Sequence, residues 1–166
     1  MQQVFTTEKI ARIAGLPEWR VVRFAQNPGF GITPAFGNAA GPGSRRLYNL
    51  ENVCQIVLAS WLLQAGLRVE VIGRVLKQVR KQGDLKHRLK QPTEKAKDVY
   101  LGVIRTPKGK IAEQEAVFIH SWEHLQSIFE RTWDTSVLVI PIGLRFIVLG
   151  NVLDKLTEMD QEEEGV

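Results

Sequence analysis

The sequence predicts an α+β protein in two parts, an N-terminal four-helix part over residues 1–82 and a small α+β part over residues 99–159 with the element order β-β-α-β-α. Three observations carry this. Apolar residues recur at spacings of three and four through the first half. In the second half, strand-like runs bracket a turn before helical spacing returns. Charge divides at the same place. Residues 1–97 hold 16 Lys and Arg against 6 Asp and Glu, a net +10, and residues 98–166 hold 6 against 12, a net −6, giving +4 overall. A basic half joined to an acidic one points to a polyanion as partner of the first half, with nucleic acid ahead of an anionic membrane surface. At 166 residues the chain is long enough to bury a core in each part.

Taken in order, Thr6 and Thr7 supply a hydroxyl cap for a helix over Glu8–Ala14. Gly15-Leu16-Pro17 makes a turn, and a second helix follows over Glu18–Ala25. Its Val21, Val22 and Phe24 are expected to pack inward and its Trp19, Arg20 and Arg23 to project outward. Two short helices joined by a glycine turn are the pattern of a helix-turn-helix. From Asn27 to Ser44 glycine, proline and asparagine dominate, which predicts a long flexible loop with a short strand at each end. Asn49 then caps a long third helix with Leu50, Val53, Cys54, Val57, Leu58, Trp61, Leu62 and Ala65 on its apolar stripe, ended by Gly66. A fourth helix places Val69, Ile72, Val75, Leu76 and Val79 inward and Arg68, Arg74, Lys77, Arg80 and Lys81 on a basic outer face.

Residues 83–98 are polar, basic and interrupted by Pro92, and read as a linker. Strands are expected over Val99–Arg105 and Ile111–Ile119 around a turn at residues 106–110. Ser121 caps an amphipathic helix through Trp122, Leu125, Ile128, Phe129 and Thr132. Val137–Ile140 reads as a buried strand, and a last helix over Leu144–Met159 points Leu144, Ile147, Val148, Val152 and Leu156 inward. Residues 160–166 form an acidic tail, expected to be frayed.

The apolar run Val137–Leu153 is too short for the roughly 20 residues of a membrane helix. It also carries Arg145 and is broken by Pro141 and Gly143, so no membrane partner is expected. Met1-Gln2-Gln3 leads directly into a helix signal with no secretory pattern, and Cys54 is the single cysteine, so a reducing cytoplasm is the expected location. Cys54 falls on an apolar stripe and reads as core.

The ordered set Phe5-Thr6-Thr7, Ala14-Gly15-Leu16, Arg20-Val21-Val22-Arg23-Phe24, Arg46-Leu47-Tyr48, Asn49-Leu50-Glu51-Asn52-Val53 and Ala65-Gly66-Leu67 resembles the MerR family of bacterial transcription regulators. The resemblance covers residues 5 to about 80. It implies a winged helix-turn-helix whose second helix enters the major groove of double-stranded DNA, with Arg20 and Arg23 facing the groove and Arg46 and Tyr48 as wing contacts. Arg45 adds a further wing contact, Trp19 either stacks on sugar or base or packs on the wing, and Arg68 is placed to reach phosphate. Guanidinium groups suit this work, because they read guanine edges and neutralise phosphates.

The chain departs from the family in two ways. Its loop before Arg46 is longer, and residues 83–98 lack the heptads of a dimerising coiled coil. A homodimer is therefore expected to form through the C-terminal part, where a small-molecule or protein effector would also be sensed. The aromatics Trp122, Phe129, Trp133 and Phe146 either line a pocket there or form its core.

His120 and His124 are separated by the Ser121 cap and, with Glu123 as the one extra carboxylate, do not complete a metal site. No cofactor-binding glycine loop and no nucleophile–base set is recognisable, so the sequence predicts a binding protein rather than an enzyme. Two alternatives to a transcription regulator remain at this stage: an architectural, excisionase-like factor that bends DNA, and an adaptor whose winged helix binds protein.

Overall fold

The computed structural model describes residues 4–35, 46–82, 99–108, 111–119, 121–131, 136–142, 145–146 and 148–155. The fold is α+β, and the chain divides into two compact units, Met1–Lys86 and His87–Val166. The division falls inside the stretch read as a linker, whose residues 83–98, like the acidic tail, lie outside the described residues.

In the first unit, strand β1 (Val4–Thr6) leads into helix α1 (Thr7–Ala14). The start of α1 is fixed by Thr6, whose hydroxyl accepts the Lys9 N–H at 3.2 Å. Its end is fixed by Gly15, which takes the left-handed conformation (φ 61°) that a side chain would disfavour, letting the Leu16 N–H reach back to the Ala11 carbonyl at 2.9 Å. Leu16 is thereby turned into the core, and Pro17 opens helix α2 (Glu18–Gln26). Helix α2 buries Val21 and Phe24; Val22, expected inside, is only half-buried.

The segment after α2 is not the uniform flexible loop expected from its composition. Asn27 accepts the Gly29 N–H on its side chain and the Phe30 N–H on its carbonyl, at 2.9 and 3.0 Å, forming a tight turn. That turn drives Phe30 and Ile32 into the core, and the Phe30 ring meets Phe24 edge-on with 5.4 Å between centroids. Residues 36–45 lie outside the described residues. Arg46 leads into strand β2 (Leu47–Asn49). The expected strand at the front of the loop is absent from residues 27–35, where the backbone is spent on the turn. Strand β2 pairs instead with β1, antiparallel, with Phe5 opposite Tyr48.

Helix α3 (Leu50–Gln64) begins with a reciprocal cap. The Asn49 side chain accepts the Asn52 N–H at 2.9 Å, and the Asn52 side chain accepts the Asn49 N–H at 3.2 Å. Every residue from Asn52 to Ser60 is buried, so α3, with Cys54 among them, is a central helix rather than a one-sided one. Helix α4 (Val69–Gln82) buries Val71, Ile72, Val75, Leu76 and Val79; Val69, expected on that stripe, is exposed at the first position of the helix. At Gly73 the helix passes so close to the Asn27 turn that a Cβ there would collide with the Gly29 carbonyl oxygen.

The second unit is built on a three-stranded antiparallel sheet, ordered β4-β3-β5, of β3 (Tyr100–Lys108), β4 (Ile111–Ile119) and β5 (Ser136–Ile140). Thr106, Pro107 and Lys108, expected in the turn, belong to β3, with Lys108 paired to Ile111. Pro107 fits a central strand here because β5 pairs only as far as Arg105. Beyond that point β3 has no described neighbour on that side to demand an N–H.

Helix α5 (Trp122–Arg131) starts at Ser121, whose hydroxyl accepts the His124 N–H at 3.2 Å. Its own backbone N–H and the Ser121 hydroxyl hold the Glu123 carboxyl below the usual carboxylate range. Phe129, expected inside, is 47% exposed. A last helix, α6, is described over residues 148–155, with helical backbone also at 142 and 145–146. Its inward residues are Ile142, Phe146, Leu149 and Leu153, while Val148 is 62% exposed. The expected stripe through Val148 and Val152 is therefore out of phase. In a run where nearly every residue is apolar, spacing alone does not fix which side faces the core. Among the described residues no helix is long and apolar enough to cross a membrane.

Candidate nucleic-acid interface

Helix α2 has a buried side and an open side set by its 100° step. With Val21 and Phe24 committed to the core, positions 19, 23 and 26 fall together on the other side, with position 20 next to them. Trp19, Arg23 and Gln26 are exposed there, and Arg20 is half-buried. The Arg20 guanidinium lies over the Trp19 ring, 5.1 Å from its centroid. The open face of α2 thus presents two guanidinium groups and an indole, and places Trp19, Arg20 and Arg23 side by side.

The other expected contacts fare differently. Arg45 lies outside the described residues. Arg46 is half-buried, and its Nη1 is buried with no hydrogen-bond partner among the described residues. Tyr48 does not offer the wing contact assigned to it. The residue is 0% exposed, because β2 pairs with β1 and sets Tyr48 opposite the equally buried Phe5. Arg68 is exposed at the start of α4, where its carbonyl accepts the Val71 and Ile72 N–H groups, each at 3.0 Å.

The basic outer face expected of α4 is real for Arg74, Lys77 and Lys81, which are exposed, but not for Arg80. Arg80 Nη1 donates to the Phe30 carbonyl at 2.8 Å, to the Gly31 carbonyl at 3.1 Å and, at a long 3.4 Å, to the Gln55 side-chain oxygen. Gln55 in turn donates to Glu51 at 3.1 Å. This chain of contacts ties the turn after α2 to both α3 and α4. One signal for it was available in sequence: Gln55 is an amide in the middle of an apolar helix, and a buried amide needs partners.

The aromatic set of the second unit divides in the same way. Phe146 is fully buried and Phe129 exposed; Trp133 lies outside the described residues. Among the described residues, no three His, Cys, Asp or Glu side chains stand close enough to hold a metal ion.

No protein-family model matches the chain, and no curated protein matches it.

Proposed function

We propose that the chain is a sequence-specific DNA-binding transcription regulator, a binding protein rather than an enzyme, acting in the cytoplasm as a homodimer formed through its C-terminal unit. In this reading the N-terminal unit is a MerR-like winged helix-turn-helix. Helix α2 enters the major groove and Arg68 and the residues around Arg46 meet the phosphate backbone. The observation that carries the reading is the open face of α2, where Trp19, Arg20 and Arg23 stand together on a helix whose opposite side is fixed in the core. The net +10 over residues 1–97 supports it, since neutralised phosphates supply most of non-specific affinity for DNA. An exposed Arg23 beside a half-buried Arg20 on α2 favours DNA over a protein ligand for this face.

The test is binding of the purified protein to a pool of random duplexes, followed by fluorescence anisotropy across salt concentrations and sequencing of the bound fraction. Salt-dependent binding with an enriched inverted repeat is expected, the half-site spacing reporting the dimer geometry. An absence of binding at low salt overturns the reading. Arg23→Ala is expected to cost the selected site about tenfold more than a scrambled duplex, as for a side chain on a base edge. Arg68→Ala is expected to weaken both alike and to flatten the salt dependence by about one unit of slope.

A further inference from the structure

Trp19 is 57% exposed on a helix whose core contacts are made by Val21 and Phe24. A large indole left in water at the first turn of α2 adds little to folding, yet its face is not idle, because the Arg20 guanidinium rests 5.1 Å from the ring centroid. Successive helix residues diverge by about 100°, so this contact does not come from helical register. It requires the Arg20 side chain to fold back over its neighbour. Among the described residues the guanidinium has no hydrogen-bond or ion-pair partner. The guanidinium is therefore anchored against an aromatic ring while its N–H donors have no partner among the described residues.

A guanidinium anchored on a ring, with its forked donors unpaired, suits a planar, two-pronged acceptor. A phosphate tolerates many approach angles, so an ordered plane gains little there. A guanine edge, with O6 and N7 fixed in the base plane, rewards it. We propose that Trp19 is a positioning residue that anchors the Arg20 guanidinium, so that Arg20 reads a guanine in the groove that Arg23 also enters. The proposal rests on the DNA-binding reading above and names how one position of the site is specified.

The experiment uses the full chain with Trp19→Leu, Trp19→Phe, Arg20→Gln and the Trp19→Leu/Arg20→Gln double variant. The probes are the duplex selected by the wild-type protein from the random pool, copies with each guanine replaced singly, and a scrambled duplex. Trp19→Leu is expected to weaken the selected duplex about two- to fivefold, the range of an exposed cation–π contact. Preference for guanine at one position should fall by the same factor, with the salt slope unchanged. Trp19→Phe should retain most of both, and Trp19→Leu should have no further effect in the Arg20→Gln background. In the free protein, the Arg20 Nε–H should be motionally ordered by nitrogen relaxation and lose that order in Trp19→Leu. Matching far-UV spectra and melting temperatures confirm that the variants are folded.

Equal weakening of selected and scrambled duplexes by Trp19→Leu overturns the proposal, as does a loss that persists undiminished in the Arg20→Gln background. A Trp19→Leu protein indistinguishable from wild type overturns it while leaving the DNA reading intact. A wild-type protein that binds no duplex overturns both.

Discussion

Helices α2 and α4 both carry arginine on the side away from their apolar stripe, yet the two sets of charge have different fates. On α2, Arg23 is exposed and Arg20 lies on an indole with its donors open. On α4, Arg80 is drawn onto the carbonyls of Phe30 and Gly31, and only its neighbours Arg74, Lys77 and Lys81 remain exposed. The difference does not lie in the helices. It lies in what stands opposite: the turn after α2 has carbonyl groups outside any ladder, and such groups must find donors. An arginine, with five donors and no acceptor, fits that need when it falls within reach. Net charge along a helix therefore overstates what is available to a ligand wherever an irregular segment packs against it.

Four substitutions would break or sharpen this contrast. The largest effect is expected for Gly73→Ala, since its new methyl group meets the Gly29 carbonyl. Overpacking of this kind costs up to about 3 kcal/mol and outweighs the roughly 1 kcal/mol that alanine gains over glycine in a helix. Urea denaturation should show net destabilisation; a net gain would mean that α4 does not rest on the turn. Next, Arg80→Met removes the donor to two carbonyls and should lower stability by about 1 kcal/mol, whereas Arg23→Met on α2 should stay within about 0.5 kcal/mol. Equal losses in thermal melting would erase the distinction between the two helices. The smallest effect is expected for Lys77→Met, also within about 0.5 kcal/mol in stability. A loss there matching that of Arg80→Met would show that the whole α4 face, and not one residue, holds the turn.

Much of the fold was legible because its boundaries are written in local chemistry. The cap residues Thr6, Asn49 and Ser121 and the stop at Gly15 act within a few residues of where they stand, and each does in the structure what its type suggests. The misreadings share a different cause. Tyr48 looked like a surface contact because its burial depends on pairing with Phe5, a partner far away in sequence. Arg80 looked solvated because its acceptors sit some 50 positions earlier in the chain. Phe30 and Ile32 were hidden in a glycine-rich composition that suggested flexibility, although two large apolar residues in such a stretch are a reason for it to fold back. The C-terminal helix was misphased because Phe146 to Leu149 are all apolar, and its polar side is marked only further on, by Asn151, Asp154 and Lys155. On α2 the outward placement of Trp19 and Arg23 followed from the apolar pattern alone. The cation–π pairing with Arg20 did not, since it depends on a side-chain rotamer.

The two-stranded ladder of β1 and β2 has a consequence for how this unit can diverge. Three residue pairs join segments more than 40 positions apart, closing the chain at the root of everything between them. With the root fixed, the entropy of closing the connection from Ile32 to Arg46 changes by only roughly 0.6 kcal/mol when its length doubles. On the closure term alone, insertions and deletions there are a small cost set against the ladder that holds both ends. Reach becomes a quantity that selection can tune independently of foldedness, while α2, bounded by Pro17 and the Asn27 turn, is held to one length and one orientation.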